Sequence, residues 1–170
     1  MITMKQLLTE CILAVAIVAN FSVATVTDDL RDKAEQGHAD AQSRLGRCYE
    51  HGDGVKVDMK EAVRWYEAAA AQGHADAQSR LGWCYEHGDG VKVDLRAAVR
   101  WYEAAAEKGH PGAQSNLGSC YERGVGVEKD VEEAVRWYEA AAEQGHRPAM
   151  TKLEKMGIPI PAKARGGRVR

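Results

Sequence analysis

The sequence has few of the residues that mark disulfide-rich or strongly charged proteins. Its 170 residues include only four cysteines, four prolines and one phenylalanine. The formal net charge is −2, from 25 acidic and 23 basic side chains. The chain therefore lacks the strong positive field that draws a protein to nucleic acid, and we expect no nucleic acid as a partner.

Motifs for catalysis and for metal binding are also missing. The sequence has no glycine-rich phosphate loop followed by Lys-Ser/Thr, no Gly-x-Ser-x-Gly and no Cys-x-x-Cys. The Gly-Asp-Gly loops lack the aspartate spacing and the closing glutamate of a calcium site. We therefore predict no enzyme, no catalytic residues, no metal site and no cofactor.

The sequence does contain three tandem copies of one segment. His38 to Gly73 is followed by His74 to Gly109 and His110 to Gly145, and the first two copies differ at only six positions. A fixed period of 36 residues is typical of solenoids, in which each unit packs on its neighbours. Degenerate copies over 28–37 and 146–156 flank the array, and we expect them to form capping helices.

Each copy has the pattern of two amphipathic helices. In the first half, Ala41, Leu45 and Tyr49 recur at helical spacing and form one apolar face. Gly52 suits the left-handed residue that ends such a helix, and Asp58 suits the cap of the next one. The pattern predicts a helix, a glycine-rich turn and a second helix with a wide, alanine-rich face.

This pattern resembles the SEL-one-like (Sel1-like) repeat, a relative of the tetratricopeptide repeat. In the middle copy the resemblance is carried by Ala77, Leu81, Gly82, Tyr85, Gly88, Gly90, Val91, Asp94, Ala98, Trp101, Tyr102, Ala105, Ala106 and Gly109. The resemblance implies an all-α fold, a right-handed α-solenoid over 28–156 with three complete repeats. It also implies a scaffold or adaptor that binds a partner protein or peptide on its concave face.

Several residues recur once in each copy, and we interpret them as structural. Cys48, Cys84 and Cys120 lie on the apolar face, about 8–10 Å apart in stacked helices, which is too far for disulfides. A Trp-Tyr pair on each second helix could stack nucleic-acid bases, but its place beside alanines favours packing between repeats. Histidines 38, 74, 110 and 146 mark helix starts. Glu50, Glu86 and Glu122 are expected on a solvated face.

The most informative variation lies on the side of the first helix that faces away from its apolar stripe. Arg47 becomes Trp83 and then Ser119, although most of the copies are identical. The resemblance places this helix on the concave surface, where an exposed tryptophan among arginines would be a binding hot spot. The predicted residues for binding a partner of acidic character are Arg44, Arg47, Arg80, Trp83, His87, Asn116 and Arg123. Ser43, Ser79 and Ser115 are assigned to the same face. The alternative, in which Trp83 packs on a neighbouring arginine or on the N-terminal segment, stays open.

The N-terminal 27 residues have a different composition. An apolar run from Ile12 to Ala19 precedes the small residues Ser22-Val23-Ala24, a pattern that predicts a signal peptide. A membrane anchor is the alternative, although Glu10 and Asn20 shorten the apolar span below the ~20 residues that a bilayer requires. We expect a secreted, periplasmic or endoplasmic-reticulum protein if the segment is cleaved, and a cytoplasmic one if it packs on the solenoid.

Residues 157–170 carry two prolines and several basic side chains, and we predict a disordered basic tail. We expect a monomer that contacts membranes only through an uncleaved N-terminal segment. The alternative function is a secreted hydrolase or penicillin-binding protein of the kind proposed for cysteine-rich relatives. Those relatives bridge two cysteines within each repeat, whereas this chain has one per repeat.

Overall fold

Each copy of the sequence repeat folds into a hairpin of two helices, and consecutive hairpins pack against each other. The structure is a computed structural model and describes residues 28–165. After a short helix α1 over 28–35, the helices are α2 (Ala39–His51), α3 (Met59–Ala71), α4 (Ala75–His87), α5 (Leu95–Ala106), α6 (Pro111–Arg123), α7 (Val131–Glu143) and α8 (Arg147–Lys155). Between residues 28 and 165 there is no β-strand. The predicted all-α solenoid with terminal capping helices is therefore confirmed.

The five helices from α3 to α7 begin at side chains that accept hydrogen bonds from free backbone donors, whereas His38 and His146 make no such bond at α2 and α8. Asp58 accepts from the N–H groups of Lys60 and Glu61 at 3.0 and 3.2 Å, and thereby caps α3. Nδ1 of His74 accepts from the N–H of Ala77 at 3.2 Å, and His110 does the same for α6. The prediction that these histidines mark helix starts is confirmed.

Two glycine positions let the hairpins close. Gly46 lies against the ring of Tyr66, and a Cβ there would come within 2.7 Å of a ring carbon. Gly90 has a φ of +74°, and a Cβ there would lie 2.2 Å from the carbonyl oxygen of Met59 in the preceding repeat. The first contact joins the two helices of a hairpin, and the second seats the loop on the hairpin before it, as Gly126 does one repeat later.

The core lies between the second helix of one repeat and the first helix of the next. One cluster joins α3 to α4 through Tyr66, Leu81 and Cys84, and equivalent clusters join the other helix pairs. Each Trp of the Trp-Tyr pairs is half-buried and packs on the cluster of the repeat before it. Cys84 and Cys120 are buried and not bridged. The packing roles predicted for these residues are therefore confirmed, while Cys48 is only half-buried.

A buried glutamine of each first helix adds a polar link that the sequence does not signal. Gln78 is 5% exposed and donates to the carbonyl oxygen of Ala70 at 3.1 Å. Its Oε1 accepts from Nζ of Lys108 at 2.9 Å. Gln42 and Gln114 make equivalent bonds. Each glutamine thus ties the end of the preceding helix to the residue that follows the next helix.

The structure describes only part of the two segments that are predicted to flank the solenoid. Residues 1–27, the predicted signal peptide or anchor, lie outside the described residues. The described part of the predicted disordered tail, residues 157–165, packs on the solenoid: Ile158 and Ala164 contact the last core cluster and Lys163 pairs with Glu143 at 3.5 Å. The rest of that tail, residues 166–170, lies outside the described residues. A short 3-10 helix runs over Ala162–Arg165. The apolar side chains of this segment cover the surface that the next repeat would otherwise occupy.

Candidate functional site: a groove across the first helices

Three glutamates of the first helices link consecutive repeats, so the expectation that they lie on a solvated face is wrong. Glu86 accepts from the Tyr102 hydroxyl at 2.9 Å and pairs with Arg123 at 2.8 Å, and its side chain is 15% exposed. The equivalent partners are Tyr66 and Arg80 for Glu50, and Tyr138 and Lys152 for Glu122. The helical wheel misses these contacts because the tyrosine comes from the second helix and the cation from the next repeat.

These contacts shift the pKa values of Tyr102 and Glu122. Burial, then the nearby Glu86 carboxylate, raises the pKa of Tyr102 well above its usual range, so the hydroxyl stays protonated and remains a donor. Hydrogen bonds from Lys152 and Tyr138 lower the pKa of Glu122, so this carboxylate stays ionised. The hydrogen bonds to Glu122 are therefore charge-assisted at neutral pH.

The cation that closes the link changes its position in the third copy. Arg80 and Lys152 stand at equivalent positions, one period before and one period after Asn116. Asn116 has no charge to offer Glu86, and Arg123 pairs with Glu86 instead. Arg123 stands where the second copy has His87. The third copy thus keeps the ion pair and leaves Asn116 free of it.

An open groove of about 310 Å³ runs across α2, α4 and α6. Its lining residues are Ser43, Arg47, Asp76, Ser79, Arg80, Trp83, His110, Gly112 and Asn116. Four of the seven predicted binding residues line it: Arg47, Arg80, Trp83 and Asn116. The serines were expected to be exposed, but Ser43 is 4% and Ser79 is 8% exposed, because both form the floor of the groove.

Trp83 is the exposed aromatic of this groove. Its ring is stacked on His87, with a centroid distance of 4.3 Å and an interplanar angle of 22°. Nδ1 of His87 lies 3.0 Å from the carbonyl oxygen of Trp83, so the backbone holds the imidazole in place. The residue is 36% exposed. Trp83 thus packs on His87 of its own helix, and exposed tryptophan surface remains in the groove. The alternative of packing on the N-terminal segment lies outside the described residues.

The other predicted residues lie outside the groove or are engaged elsewhere. Arg44 lines a separate depression beside α1, together with Asp29 and His38. Arg80 and Arg123 keep half-exposed side chains, although each is paired with a glutamate. Between residues 28 and 165, Arg47 has no ion-pair partner. The positive charge open to a ligand in the groove is therefore mainly that of Arg47.

The histidine caps also connect the repeats along the groove. Nε2 of His110 lies 3.0 Å from Asp76, and Nε2 of His74 lies 3.1 Å from Asp40. Because Nδ1 accepts the cap bond, Nε2 carries the proton and donates to the carboxylate. The series stops at His146, where Gly112 replaces the aspartate and the buried Nδ1 finds no partner in the described part of the chain.

Within residues 28–165, no side chains form a recognisable site for nucleophilic or metal chemistry. No group of three or more potential ligands converges on a metal position there. Burial raises the pKa of Cys84 to about 12 and that of Cys120 to about 11, so both stay thiols rather than reactive thiolates. The groove offers a surface for recognition, with an aromatic ring, an arginine and an amide.

The protein-family model for the Sel1 repeat matches residues 39–74, 75–110 and 111–146. The chain belongs to the Sel1 repeat family. Sel1 repeat proteins commonly act as protein-interaction scaffolds and are generally not catalytic. No curated protein matches the chain significantly.

Three solved structures of Sel1-type proteins resemble the chain. A Sel1 repeat protein from Oxalobacter formigenes is 45% identical, with a TM-score of 0.69 over 75% of this chain and 96% of that one. A protective antigen of uropathogenic Escherichia coli is 39% identical, with a TM-score of 0.74 over 82% of this chain and 31% of the antigen. Helicobacter pylori cysteine rich protein B is 27% identical, with a TM-score of 0.60 over 75% and 97%. None of the helices that the structure describes combines the length and hydrophobicity needed to cross a bilayer.

Proposed function

We propose that this Sel1 repeat protein is a non-enzymatic scaffold whose groove binds a partner protein or peptide on the concave face of the solenoid. The observation that carries the proposal is the groove itself, where Arg47, Trp83 and Asn116 come together from three consecutive first helices. Tryptophan, tyrosine and arginine side chains are enriched in binding hot spots. The repeats fix the spacing of these side chains, so the surface is preorganised.

The test is the affinity of a purified partner for groove variants. The partner is first isolated by cross-linking to the full chain in extracts of the source cells, and its affinity is then measured by calorimetry. We expect Arg47→Glu to weaken binding at least about tenfold, a loss of about 1.4 kcal/mol. The matched control is Arg100→Glu, an exposed arginine on α5 outside the groove. Equal affinities of the two variants would exclude the groove as the binding surface.

We also propose that the protein is exported, with cleavage after about Ala24. The support is the composition of residues 1–27, an apolar run followed by small residues. Intact mass spectrometry of protein from cells and from medium or envelope tests this. An intact Met1 in the cytosolic fraction would overturn it. A nitrocefin assay on the same protein tests the alternative of penicillin-directed activity, for which we expect no turnover.

A further inference from the structure

The α6 side of the groove carries smaller side chains than the α4 side. At three equivalent positions, Asp76, Arg80 and Trp83 of α4 become Gly112, Asn116 and Ser119 of α6. Gly112 and Asn116 line the groove together with these α4 residues. The space beside Trp83 is therefore open because the third copy has lost the long side chains that the second copy places there.

The loss leaves the ion pair between the repeats in place, because another residue supplies the cation. Glu86 would lack a cation without the arginine equivalent to Arg80, but Arg123 supplies one at 2.8 Å. The third copy thereby satisfies the same glutamate from a position that does not line the groove. Asn116 is left with an amide that can donate and accept, as the backbone of an extended peptide also does.

The charges of the groove indicate what a ligand must carry. Arg80 is paired with Glu50 at 3.0 Å, and Asp76 accepts from His110 at 3.0 Å. Arg47 is the lining cation that has no acidic partner among residues 28–165. The hydrogen bond from Nε2–H of His110 leaves the negative charge of Asp76 in place, because Nδ1 of the same ring accepts the cap bond. A ligand carboxylate complements Arg47, while an aromatic side chain complements the exposed surface of Trp83.

The geometry of the array sets the spacing between those two groups. Arg47 and Trp83 are equivalent positions of consecutive first helices, which are close enough for Arg80 of α4 to pair with Glu50 of α2 at 3.0 Å. We take their separation as about one helix-packing distance, roughly 10 Å. An extended chain covers about 3.3 Å per residue, so the two groups of a ligand are about three residues apart. We propose that the space bounded by Trp83, Gly112 and Asn116 is a socket for an aromatic side chain of an extended acidic peptide. The carboxylate of that peptide, about three residues away, binds Arg47.

This inference rests on the proposed function and makes it specific. Its probes are fluorescein-labelled peptides in a Gly-Ser background, with Glu and Phe about three residues apart, since that spacing matches one repeat. Matched peptides carry Gln for Glu, Ala for Phe, or a spacing of one residue. Fluorescence anisotropy with the full chain measures each affinity, and a labelled thymidine oligonucleotide serves as a probe for nucleic acid.

The decisive variant refills the socket with residues that the chain already tolerates. Asn116→Arg introduces the residue of the second copy, and Lys152 holds a cation at the same position one repeat later. The variant is thus expected to fold, which its melting temperature checks. We expect the Glu-Phe peptide to bind at least about tenfold more weakly to Asn116→Arg and to Trp83→Ala, and equally well to Arg100→Ala. The Gln and Ala peptides should lose about as much.

Three results would overturn the socket. They are binding that survives Asn116→Arg, equal affinity for the Glu and Gln peptides, and tighter binding of the oligonucleotide that is lost in the same variants. If the purified partner protein is weakened by Arg47→Glu but not by Asn116→Arg, the scaffold stands and the socket fails. If Arg47→Glu leaves the partner protein unaffected as well, both proposals fail.

Discussion

In the second repeat, Leu81, Cys84 and Tyr102 fill the core, and in the third repeat Leu117, Cys120 and Tyr138 fill the same places. The groove side of the same two repeats shares far less, since three lining positions have changed size or charge. The comparison separates two kinds of constraint. Core positions meet the same neighbours in every repeat, whereas a polar link is satisfied by any cation that reaches the glutamate, whichever position supplies it.

The largest expected effect tests the claim that the two cores are equivalent. Leu81 and Leu117 are fully buried at the same place in consecutive repeats. Replacing either with alanine should reduce the free energy of unfolding by about 2–5 kcal/mol, through lost transfer energy and a residual cavity. Urea titrations of Leu81→Ala and Leu117→Ala should agree within about 1 kcal/mol. A larger difference would show that the repeats contribute unequally despite their equal burial.

The close contact between the two helices of a hairpin should differ between the second and third repeats. A Cβ at Gly82 would lie 2.7 Å from a ring carbon of Tyr102, whereas at Gly118 the nearest atoms are 3.0 Å away. Overpacking of a core costs about 1–3 kcal/mol, and helix propensity returns up to about 1 kcal/mol on changing Gly to Ala. We expect Gly82→Ala to lower stability by about 1–2 kcal/mol and Gly118→Ala to be closer to neutral. Thermal unfolding of both variants measures this, and a costlier Gly118→Ala would contradict it.

Some of these contacts can be predicted from the sequence alone, and others cannot. The period of 36 residues predicts the hairpins. The cap at Asp58 and the exposure of Trp83 are predicted from residue spacing along one helix. The partners of Glu86 are not predictable in that way. Its tyrosine lies 16 residues ahead and its cation 37, on other helices. A helical wheel describes only the faces of one helix, so a link that closes across three helices appears on it as a solvated position.

The cation that pairs with Glu86 should be transferable from Arg123 to the position that the second copy uses. Arg123→His removes the partner of Glu86, and we expect it to lower stability by about 0.5–1 kcal/mol, the upper range for a half-exposed ion pair. Adding Asn116→Arg restores the arrangement of the second copy and should recover most of this loss. A double-mutant cycle in urea measures the coupling. Additive effects of the two substitutions would mean that the introduced arginine does not reach Glu86 and that the two positions are not interchangeable.

The smallest expected effect concerns the last histidine of the series. Burial, with a contribution from the charge of His110, lowers the pKa of His146 below its ordinary value of 6.5. Below that pH the unfolded chain binds more protons than the folded one, so folding stability falls as the solution is acidified. Aspartates and glutamates stay mostly ionised until about pH 5, so the window between about pH 6.5 and 5 reports mainly on histidines.

Gly112→Asp would give His146 the carboxylate that Asp76 provides for His110. The pKa of His146 should then rise, and its protonation should stabilise the fold instead of weakening it. We expect the variant to lose less stability than the natural chain between about pH 6.5 and 5, by up to about 0.5 kcal/mol, as for a partly exposed ion pair. Gly112→Asn is the control, because it adds the same side-chain size without the charge. If both variants show the same pH dependence, the missing aspartate is not what makes the last repeat acid-sensitive.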